Sequence, residues 1–344
     1  MTLTVGSMFS GVGGLDRGFT APAYEHLFLC ESDSDCRAVL RRHFPDVPIY
    51  EDVRTFDPEP WRGRVDVVLG GVPCQDWSMA GRRRGLAGPR SGLFFDFARQ
   101  VDAVAPRWVI FENVFGLLSA CSCCEGKLRE GHSGRDFAIV LAELTGFHPA
   151  PPVGGWRNGG FCAGHKGGAA WRVLDARWSG VAQRRRRVFV VVERARTGAG
   201  AVQVLLESDS GRRDSPPSRE PAPCAADAVG DGPGGGPMTE PVAISENQRG
   251  EVLVTDYVRS ISTGGGKPGA GYPAVTDGVT VRRLTPTERE RLMGWPDGWT
   301  AWGIDEDGQR VDMTDTARNR MTGNGVVSTI AAWLADRLAT ETKQ

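Results

Sequence analysis

The sequence predicts an α/β fold built on a mixed, mostly parallel sheet, with a second and smaller domain. Short apolar runs alternate with helical segments over the N-terminal 115 residues. A glycine-rich turn follows the first apolar run, and polar residues follow several of the later ones. Such alternation is typical of βαβ units, whose strands lie parallel and collect ligand-binding residues at their carboxyl ends.

The predicted elements are dense in the first third of the chain and return after residue 170. The predicted strands are Leu3–Met8, residues 27–30, 65–69, 108–111 and 188–192, with order also returning at Trp171–Leu174. A helix is predicted to start at Leu15–Phe19. Further helices are predicted at Asp35–Phe44, Phe137–Leu144, Thr287–Met293 and Val326–Leu338. Residues 207–240 are rich in Gly, Pro, Ser and charge, so we interpret them as a linker or loop.

The charge balance excludes one class of nucleic-acid binder. The 344 residues carry 41 Lys+Arg and 42 Asp+Glu, for a net charge of −1. A protein that holds nucleic acid by bulk positive charge is more basic, whereas a local basic cleft is compatible with this balance. Without a long apolar run or a secretory signal, we expect a cytoplasmic protein with no membrane span and with reduced cysteines.

The glycine-rich turn has the composition of a nucleotide-binding loop. It reads Phe-Ser-Gly-Val-Gly-Gly over residues 9–14, between a predicted strand and a predicted helix. Glu31 ends the next predicted strand, where dinucleotide-binding folds place a carboxylate for ribose hydroxyls. Asp52 is expected to end a third strand and to contact the adenine ring of such a ligand. A packing turn and surface carboxylates are the alternative. The short loop and the cysteine motif that follows favour S-adenosylmethionine over a dinucleotide.

Cys74 is the candidate nucleophile. It lies in Gly70–Ser78, directly after the apolar run 65–69, and Pro73 fixes the backbone before it. Three arginines at residues 82–84 favour the thiolate by lowering the thiol pKa. The alternative is a buried structural cysteine, which the flanking glycines and the polar Gln75 and Asp76 disfavour.

Two further motifs flank predicted strands. Glu112 follows the run 108–111 and is a candidate acid or ligand for a nitrogenous ring, with a capping carboxylate as the alternative. Gln183 precedes four consecutive arginines. In an extended chain Arg185 and Arg187 share one face, suited to a phosphate or a base oxygen. A solvated charge run is the alternative.

The motifs together resemble the DNA (cytosine-5) methyltransferase family. FSGVGG, GGVPCQ, FENV, QRRRRVF, RRLTPTERERLMGWP and TGNGVV occur in the family's order over about residues 3–192 and 280–338. One departure is Ser7, where the family often has Asp. The resemblance implies a Rossmann-like S-adenosylmethionine-dependent methyltransferase domain over residues 1–192 and 315–344. A small target-recognition domain would occupy residues 193–314.

The resemblance also assigns roles to individual residues. Cys74 would attack carbon 6 of a flipped-out cytosine, Glu112 would bind and protonate N3, and Arg185 and Arg187 would hold the base O2 and the active-site loop. The implied S-adenosylmethionine pocket comprises Phe9, Ser10, Gly11, Gly13, Gly14, Glu31, Asp52, Val53, Pro73, Leu93, Asn324 and Gly325. The expected DNA-contacting residues are Gln75, Ser78, Arg82, Arg83, Arg84, Gln183, Arg249 and Lys267, with Asn247, Gln248 and Arg259 as further candidates.

The expected partner is double-stranded DNA, bound by a monomer that is a modification enzyme with or without a cognate restriction endonuclease. An RNA methyltransferase of the same fold is the first alternative, because one branch of the family methylates tRNA. A non-catalytic DNA-binding homologue and a nicotinamide dehydrogenase are less favoured.

A cysteine cluster follows the FENV motif. Cys121, Cys123 and Cys124 precede Cys162 and His165 by about 40 residues, and His132 lies between them. Thiolates with an imidazole suit zinc. The spacing is irregular, so we expect free thiols in an insertion rather than a metal, with structural zinc as the alternative.

Overall fold

The computed structural model describes most of the chain. The described residues are 2–20, 22–73, 92–122, 131–206, 242–246, 252–255, 257–261, 274–276 and 281–343. Among these residues no helix is both long and apolar enough to cross a membrane.

The centre of the fold is an eight-stranded mixed sheet. Its parallel half contains β1 (Leu3–Met8), β2 (Tyr24–Cys30), β3 (Ile49–Tyr50), β4 (Val67–Gly70) and β5 (Trp108–Val114). Its antiparallel half contains β6 (Gly159–Gly164), β7 (Gly167–Asp175) and β9 (Arg186–Arg194), while the short β8 (Gln183–Arg184) lies outside it. The strand order is β3-β2-β1-β4-β5-β9-β7-β6. Because the chain moves outward from β1 in both directions, the carboxyl ends of β1 and β4 border a crevice of the kind that binds ligands in open α/β sheets.

Helices and a second group of strands complete the described chain. The helices are α1 (Ser34–His43), α2 (Gly92–Val104), α3 (Arg135–Thr145), α4 (Ala199–Leu205), α5 (Pro286–Leu292), α6 (Asp315–Asn324) and α7 (Ser328–Thr342). The strands β10 (Val242–Glu246), β11 (Val252–Thr255), β13 (Ala274–Thr276) and β14 (Val281–Arg283) form a small antiparallel sheet. The short β12 (Val258–Arg259) pairs with β8, and β15 (Trp302–Ile304) pairs with β16 (Arg310–Asp312).

The core lies on both faces of the large sheet. Val5, Val67 and Ile110 are fully buried on one face, and Val68, Val109 and Phe111 are fully buried on the other. A sheet buried on both faces needs nearly continuous apolar strands, because successive side chains point to opposite sides. The runs VVLG in β4 and FVVV within β9 satisfy this requirement.

Several elements differ from the sequence prediction. The helix expected from Leu15–Phe19 is a single 3₁₀ turn, Asp16–Gly18, because Gly18 packs directly against the backbone of Ala331 in α7. Strand β5 continues to Val114 rather than ending at residue 111, since Glu112, Asn113 and Val114 pair in register with β9. The prediction did not contain α2, α4, α6 or β6.

The packing also bears on the domain boundaries expected at residues 193 and 314. Helix α4 packs on β7, β9 and α7, and Leu292 and Trp295 belong to the same apolar core as Val5. The same core also contains Ala243, Val258 and Val275 from the segment expected to form the small domain, so the boundaries at residues 193 and 314 stay predictions.

Candidate active site

The functional motifs meet at the carboxyl edge of the sheet. Residues 9–14 follow β1 and Gly71 follows β4, while Glu112 lies near the end of β5. A Cβ atom added to Gly71 would lie 3.8 Å from the Phe9 carbonyl oxygen and 3.9 Å from Glu112 Oε2. Gly71 therefore lies between the glycine loop and the Glu112 carboxylate. Three of the predicted motifs thus meet in one crevice.

Glu112 and Arg187 form an ion pair that the sheet register creates. Arg187 lies opposite Val114 in the β5–β9 pair, so Glu112 is its diagonal neighbour on the same face. Arg187 Nε lies 3.1 Å from Glu112 Oε1 in this ion pair, with 10% of the Glu112 side chain exposed. Burial raises the pKa of Glu112, and the charges of Arg187 and Arg185 oppose that rise. The arrangement leaves Oε2 directed toward Gly71.

Asn113 fixes the chain that leads to the candidate nucleophile. Its side chain is buried, and its Nδ2 donates to the Val72 carbonyl at 3.2 Å. Its Oδ1 accepts from the Val114 backbone at 2.8 Å. Pro73, the last described residue before Cys74, is thus held next to β5. Asn113 had no predicted role, although the sequence places it between Glu112 and Val114 at a strand end.

The glycine loop is held by Glu31. The Gly11 amide donates to Glu31 Oε2 at 2.8 Å, and the Asp33 amide donates to Oε1 at 2.8 Å. Burial raises the pKa of Glu31, and these two backbone hydrogen bonds counteract the rise. Phe9 has a φ of 58°, which is strained for a bulky residue and typical of functional loops. A Cβ added to Gly11 would meet no atom within 4 Å, so space is open above the loop.

The final motif, TGNGVV, packs against the same loop. A Cβ on Gly14 would lie 2.7 Å from the Val326 carbonyl oxygen, so only glycine fits there. The Trp295 indole donates to that carbonyl at 3.2 Å. Gly325 packs against the same indole, whereas the neighbouring Asn324 is exposed. Trp295, which the sequence analysis did not single out, thus joins residues 9–14 to residues 323–326.

The remaining predicted cofactor residues differ in their surroundings. Ser10 is buried, and its hydroxyl hydrogen-bonds that of Ser7 at 3.0 Å. Val53 is buried in the apolar cluster against which Leu93, on α2, also packs. Asp52 is held by Arg54, whose Nη2 donates to Oδ2 at 2.6 Å and which lowers the Asp52 pKa. Its carboxylate is therefore engaged within its own turn rather than aimed at a ring.

Arg185 is placed differently from the expectation that it holds a base oxygen. Its side chain is 2% exposed, and its guanidinium donates to the carbonyls of Ile261, Gly323 and Gly325 at 3.1, 2.9 and 2.8 Å. These partners come from the segment after β12 and from the final motif. Arg185 therefore ties two distant segments to the start of β9, and Arg187 pairs with Glu112. Gln183 is also buried, with Nε2 donating to the Leu292 carbonyl at 3.3 Å.

Several predicted residues lie outside the described part of the chain. These are Cys74, Gln75, Ser78, Arg82, Arg83, Arg84, Cys123, Cys124, Asn247, Gln248, Arg249 and Lys267, together with the linker 207–240. Of the cysteine cluster, Cys121 is buried and Cys162 is half-buried. The described residues contain no group of three or more potential metal ligands. Because Cys123 and Cys124 are not among them, the choice between zinc and thiols stays a prediction.

A family profile and two relatives described here all match this chain to methyltransferases. A family profile described as C-5 cytosine-specific DNA methylase matches residues 3–128. Type II methyltransferase M2.BsuMI of Bacillus subtilis is 29% identical over 343 residues, covering 98% of this chain and 75% of the relative. Type II methyltransferase M.AquIA of a Picosynechococcus species is 31% identical over 196 residues, covering 55% of this chain and 71% of the relative.

Two further comparisons concern the chemistry and the fold. A relative of Escherichia phage P1, 30% identical over 257 residues, is named a DNA N-6-adenine-methyltransferase; 67% of this chain and 33% of that relative align. Among solved structures, the Entamoeba histolytica methyltransferase EhMeth matches with a TM-score of 0.65 at 12% identity, over 100% of both chains. This similarity shows that the mixed α/β sheet is a methyltransferase fold.

Proposed function

Because this chain belongs to the C-5 cytosine-specific DNA methylase family, we propose that it transfers a methyl group from S-adenosylmethionine to carbon 5 of cytosine. The substrate would be a specific sequence of double-stranded DNA. The observation that carries the proposal is the buried Glu112, whose Oε1 is held by Arg187 while Oε2 faces the crevice beside the glycine loop. The target atoms lie inside the duplex, so the base must be flipped out.

The residues at the crevice fit an adenosine cofactor. Glu31 presents a half-buried carboxylate that is already oriented by two backbone amides and retains capacity to accept from ribose hydroxyls. The open space at Gly11 leaves room above the loop, and Phe9 lies beside it. When bound, S-adenosylmethionine supplies the electrophilic methyl group. The described contacts support the predicted roles of Phe9, Gly11 and Glu31 more strongly than that of Asp52, whose carboxylate is paired with Arg54.

In the proposed reaction, the Cys74 thiol and the Glu112 carboxyl group have different roles. The Cys74 thiolate adds to carbon 6 of the base while Glu112 gives a proton to N3, which makes carbon 5 nucleophilic. Carbon 5 would then take the methyl group, with S-adenosylhomocysteine as the leaving group. Loss of the carbon-5 proton to water would expel the Cys74 thiolate, and N3 would return its proton to Glu112, which restores the aromatic ring. A raised Glu112 pKa suits this role, because a carboxyl must hold its proton near neutral pH to act as the acid.

The direct test is expression of the chain in a host that lacks DNA methylation, followed by bisulfite sequencing of the host genome. The expected result is cytosine methylation confined to one sequence motif, absent with Cys74→Ala. The matched variant should still bind S-adenosylmethionine, as measured by calorimetry. Digestion with an adenine-methylation-sensitive nuclease, and mass spectrometry of host RNA, are run on the same cells. Methylation found only at adenine or only in RNA contradicts the proposal, as does a Cys74→Ala variant that still modifies cytosine.

A further inference from the structure

A group of arginines and aromatic rings lies beside the proposed catalytic residues and is used by none of the steps above. Strand β7 ends at Asp175, and a 3₁₀ turn over Ala176–Trp178 leads toward β8. Strand β12 pairs in parallel with β8, and Arg259 lies opposite Arg184. We call Arg177, Arg184 and Arg259 the arginine patch. Its third member comes from the segment proposed to recognise the target, and the first two come from the large domain.

The pairing of Arg184 with Arg259 is unfavourable in the free protein. Both residues are exposed, and they occupy directly opposed positions on adjacent strands. Like charges at such positions destabilise a strand pair. Among the ion pairs of the described residues, none involves a member of the arginine patch. A bound polyanion would neutralise this repulsion, which makes the β8–β12 pair better suited to the complex than to the free chain.

The Arg177 side chain is ordered by two aromatic rings. The guanidinium of Arg177 lies 4.3 Å from the centre of the Trp178 ring and 5.3 Å from that of Tyr257. Its Nε is buried, with no hydrogen-bond partner among the described residues. The neighbouring Asp175 uses Oδ1 to accept the backbone amides of Arg177 and Arg185, at 3.3 and 3.1 Å. The stacked guanidinium is therefore pre-oriented and retains donors for a ligand.

The patch lies at the correct distance from the proposed chemistry. Arg184 precedes Arg187 by three residues of nearly extended chain, which span roughly 10 Å. Arg187 contacts Glu112, the residue proposed to bind the flipped base. Each DNA strand carries one phosphate per about 3.4 Å of helix axis, so phosphates flanking a base in the crevice would lie within about 10 Å of it. Trp178, with 40% of its surface exposed, supplies an apolar surface beside the charges.

From this juxtaposition we propose that Arg177, Arg184 and Arg259 form a phosphate-binding surface that holds the DNA backbone next to the flipped cytosine. The inference rests on the proposed function, because it takes double-stranded DNA as the substrate. The contacts are to phosphate, so they position the duplex without reading its sequence. The surface joins the two domains, and backbone binding would therefore also fix the β12 segment against β8.

The test measures binding of a 30-base-pair duplex by fluorescence anisotropy over a range of salt concentrations. Each phosphate contact contributes about 0.9 to the slope of log affinity against log salt. The double variant Arg184→Gln/Arg259→Gln should lose about 2 from the magnitude of that slope. Its preference among duplex sequences should not change. The matched double variant with lysine at both positions retains both charges and should keep the wild-type slope.

Arg64 provides a matched control. It is an exposed arginine whose guanidinium lies 5.3 Å from the centre of the Trp61 ring, near the start of β4 at the opposite edge of the sheet. Arg64→Gln should leave the slope unchanged. Calorimetric binding of S-adenosylmethionine checks that every variant retains a folded large domain.

The outcomes distinguish failure of the proposed phosphate-binding role of the arginine patch from failure of the proposed function. If the wild-type protein methylates DNA and the glutamine variant keeps its slope, the patch is overturned and the function stands. If the variant loses binding only to a stem-loop RNA, measured in parallel, the patch serves RNA and the inference is wrong. If the wild-type protein neither binds nor methylates duplex DNA, the proposed function fails and the patch fails with it.

Discussion

The Glu112–Arg187 pair provides the sharpest prediction, made with the variant Arg187→Gln. The two side chains are 10% and 16% exposed and 3.1 Å apart, so the substitution leaves a nearly buried carboxylate without its partner. Removing one member of a buried pair costs about 3–5 kcal/mol, and the remaining exposure favours the lower end. Loss of the Arg187 charge also removes the principal influence that opposes the burial-raised pKa of Glu112, so this pKa rises further.

The direction of the pH effect follows from this change. A carboxyl whose pKa is raised in the folded state contributes stability at low pH, and the contribution is lost as the pH rises through the folded pKa. Arg187→Gln should therefore lose about 3 kcal/mol at pH 8 and distinctly less at pH 5.5, where Glu112 takes up a proton. Urea unfolding followed by tryptophan fluorescence at both pH values measures the difference.

Two further variants make the result interpretable. Glu112→Gln added to Arg187→Gln should recover stability and remove the pH dependence, because no buried carboxyl group remains at this position. Arg107→Gln breaks a pair with Glu193 at the other end of the same two strands, where the atoms are 3.5 Å apart. It should cost less than Arg187→Gln, because the buried Glu193 keeps the Gly200 amide and Arg196 as partners, and it should leave methyl transfer intact. An equal loss at both pH values for Arg187→Gln would refute the assignment of the pKa rise to burial.

Three other predictions concern the crevice. Gly14→Ala drives a Cβ toward the Val326 carbonyl, so it should cost about 1–3 kcal/mol in thermal unfolding and weaken S-adenosylmethionine binding; wild-type affinity would exclude this contact from the site. Glu31 has a raised pKa, so cofactor affinity should fall as the pH is lowered from 8 to 5.5, and Glu31→Gln should bind weakly with no such dependence by calorimetry. Asn113→Ala releases the Val72 carbonyl, so kcat should fall with cofactor affinity unchanged; a selective loss of cofactor affinity would contradict the positioning role.

The parts of the site that lie at strand ends were predictable from the sequence. Glu112 and Arg187 are identified by their motifs, and the alternation of side chains in an extended chain predicts that Arg185 and Arg187 share one face. The contact itself depends on the antiparallel register of β5 and β9, in which Arg187 lies opposite Val114. No local pattern specifies that register, so the sequence indicated the two groups but not their pairing.

Arg185 shows the opposite case, in which a motif residue was identified and its contacts were not. Its hydrogen-bond acceptors are backbone carbonyls at residues 261, 323 and 325, far along the chain. Backbone acceptors carry no side-chain signature, so a pattern search cannot find them. These carbonyls hold the Arg185 guanidinium in the structure, and its expected contact with a base oxygen stays a prediction.

The missed secondary structure has two different causes. Helix α2 carries apolar residues at Phe94, Phe97, Val101 and Val104, a helical spacing that the sequence does contain. Strand β6 reads Gly-Gly-Phe-Cys-Ala-Gly over residues 159–164, a composition with low strand propensity. It exists because it pairs with β7 over six consecutive positions. Helix α2 could therefore be predicted from the sequence, whereas β6 depends on its pairing with β7.

The near-zero net charge is compatible with DNA binding because the charges are arranged differently on two sides of the protein. On α1, the buried Arg37 pairs with both Glu51 and Glu306, and Arg41 shares Glu306. These arginines are neutralised by carboxylates and add little to the field outside. At the catalytic edge the arginine patch has no described ion pair, so its charge is available to phosphate. Affinity for DNA should therefore depend on a few local charges, and a steep salt dependence is expected from a protein whose overall charge is −1.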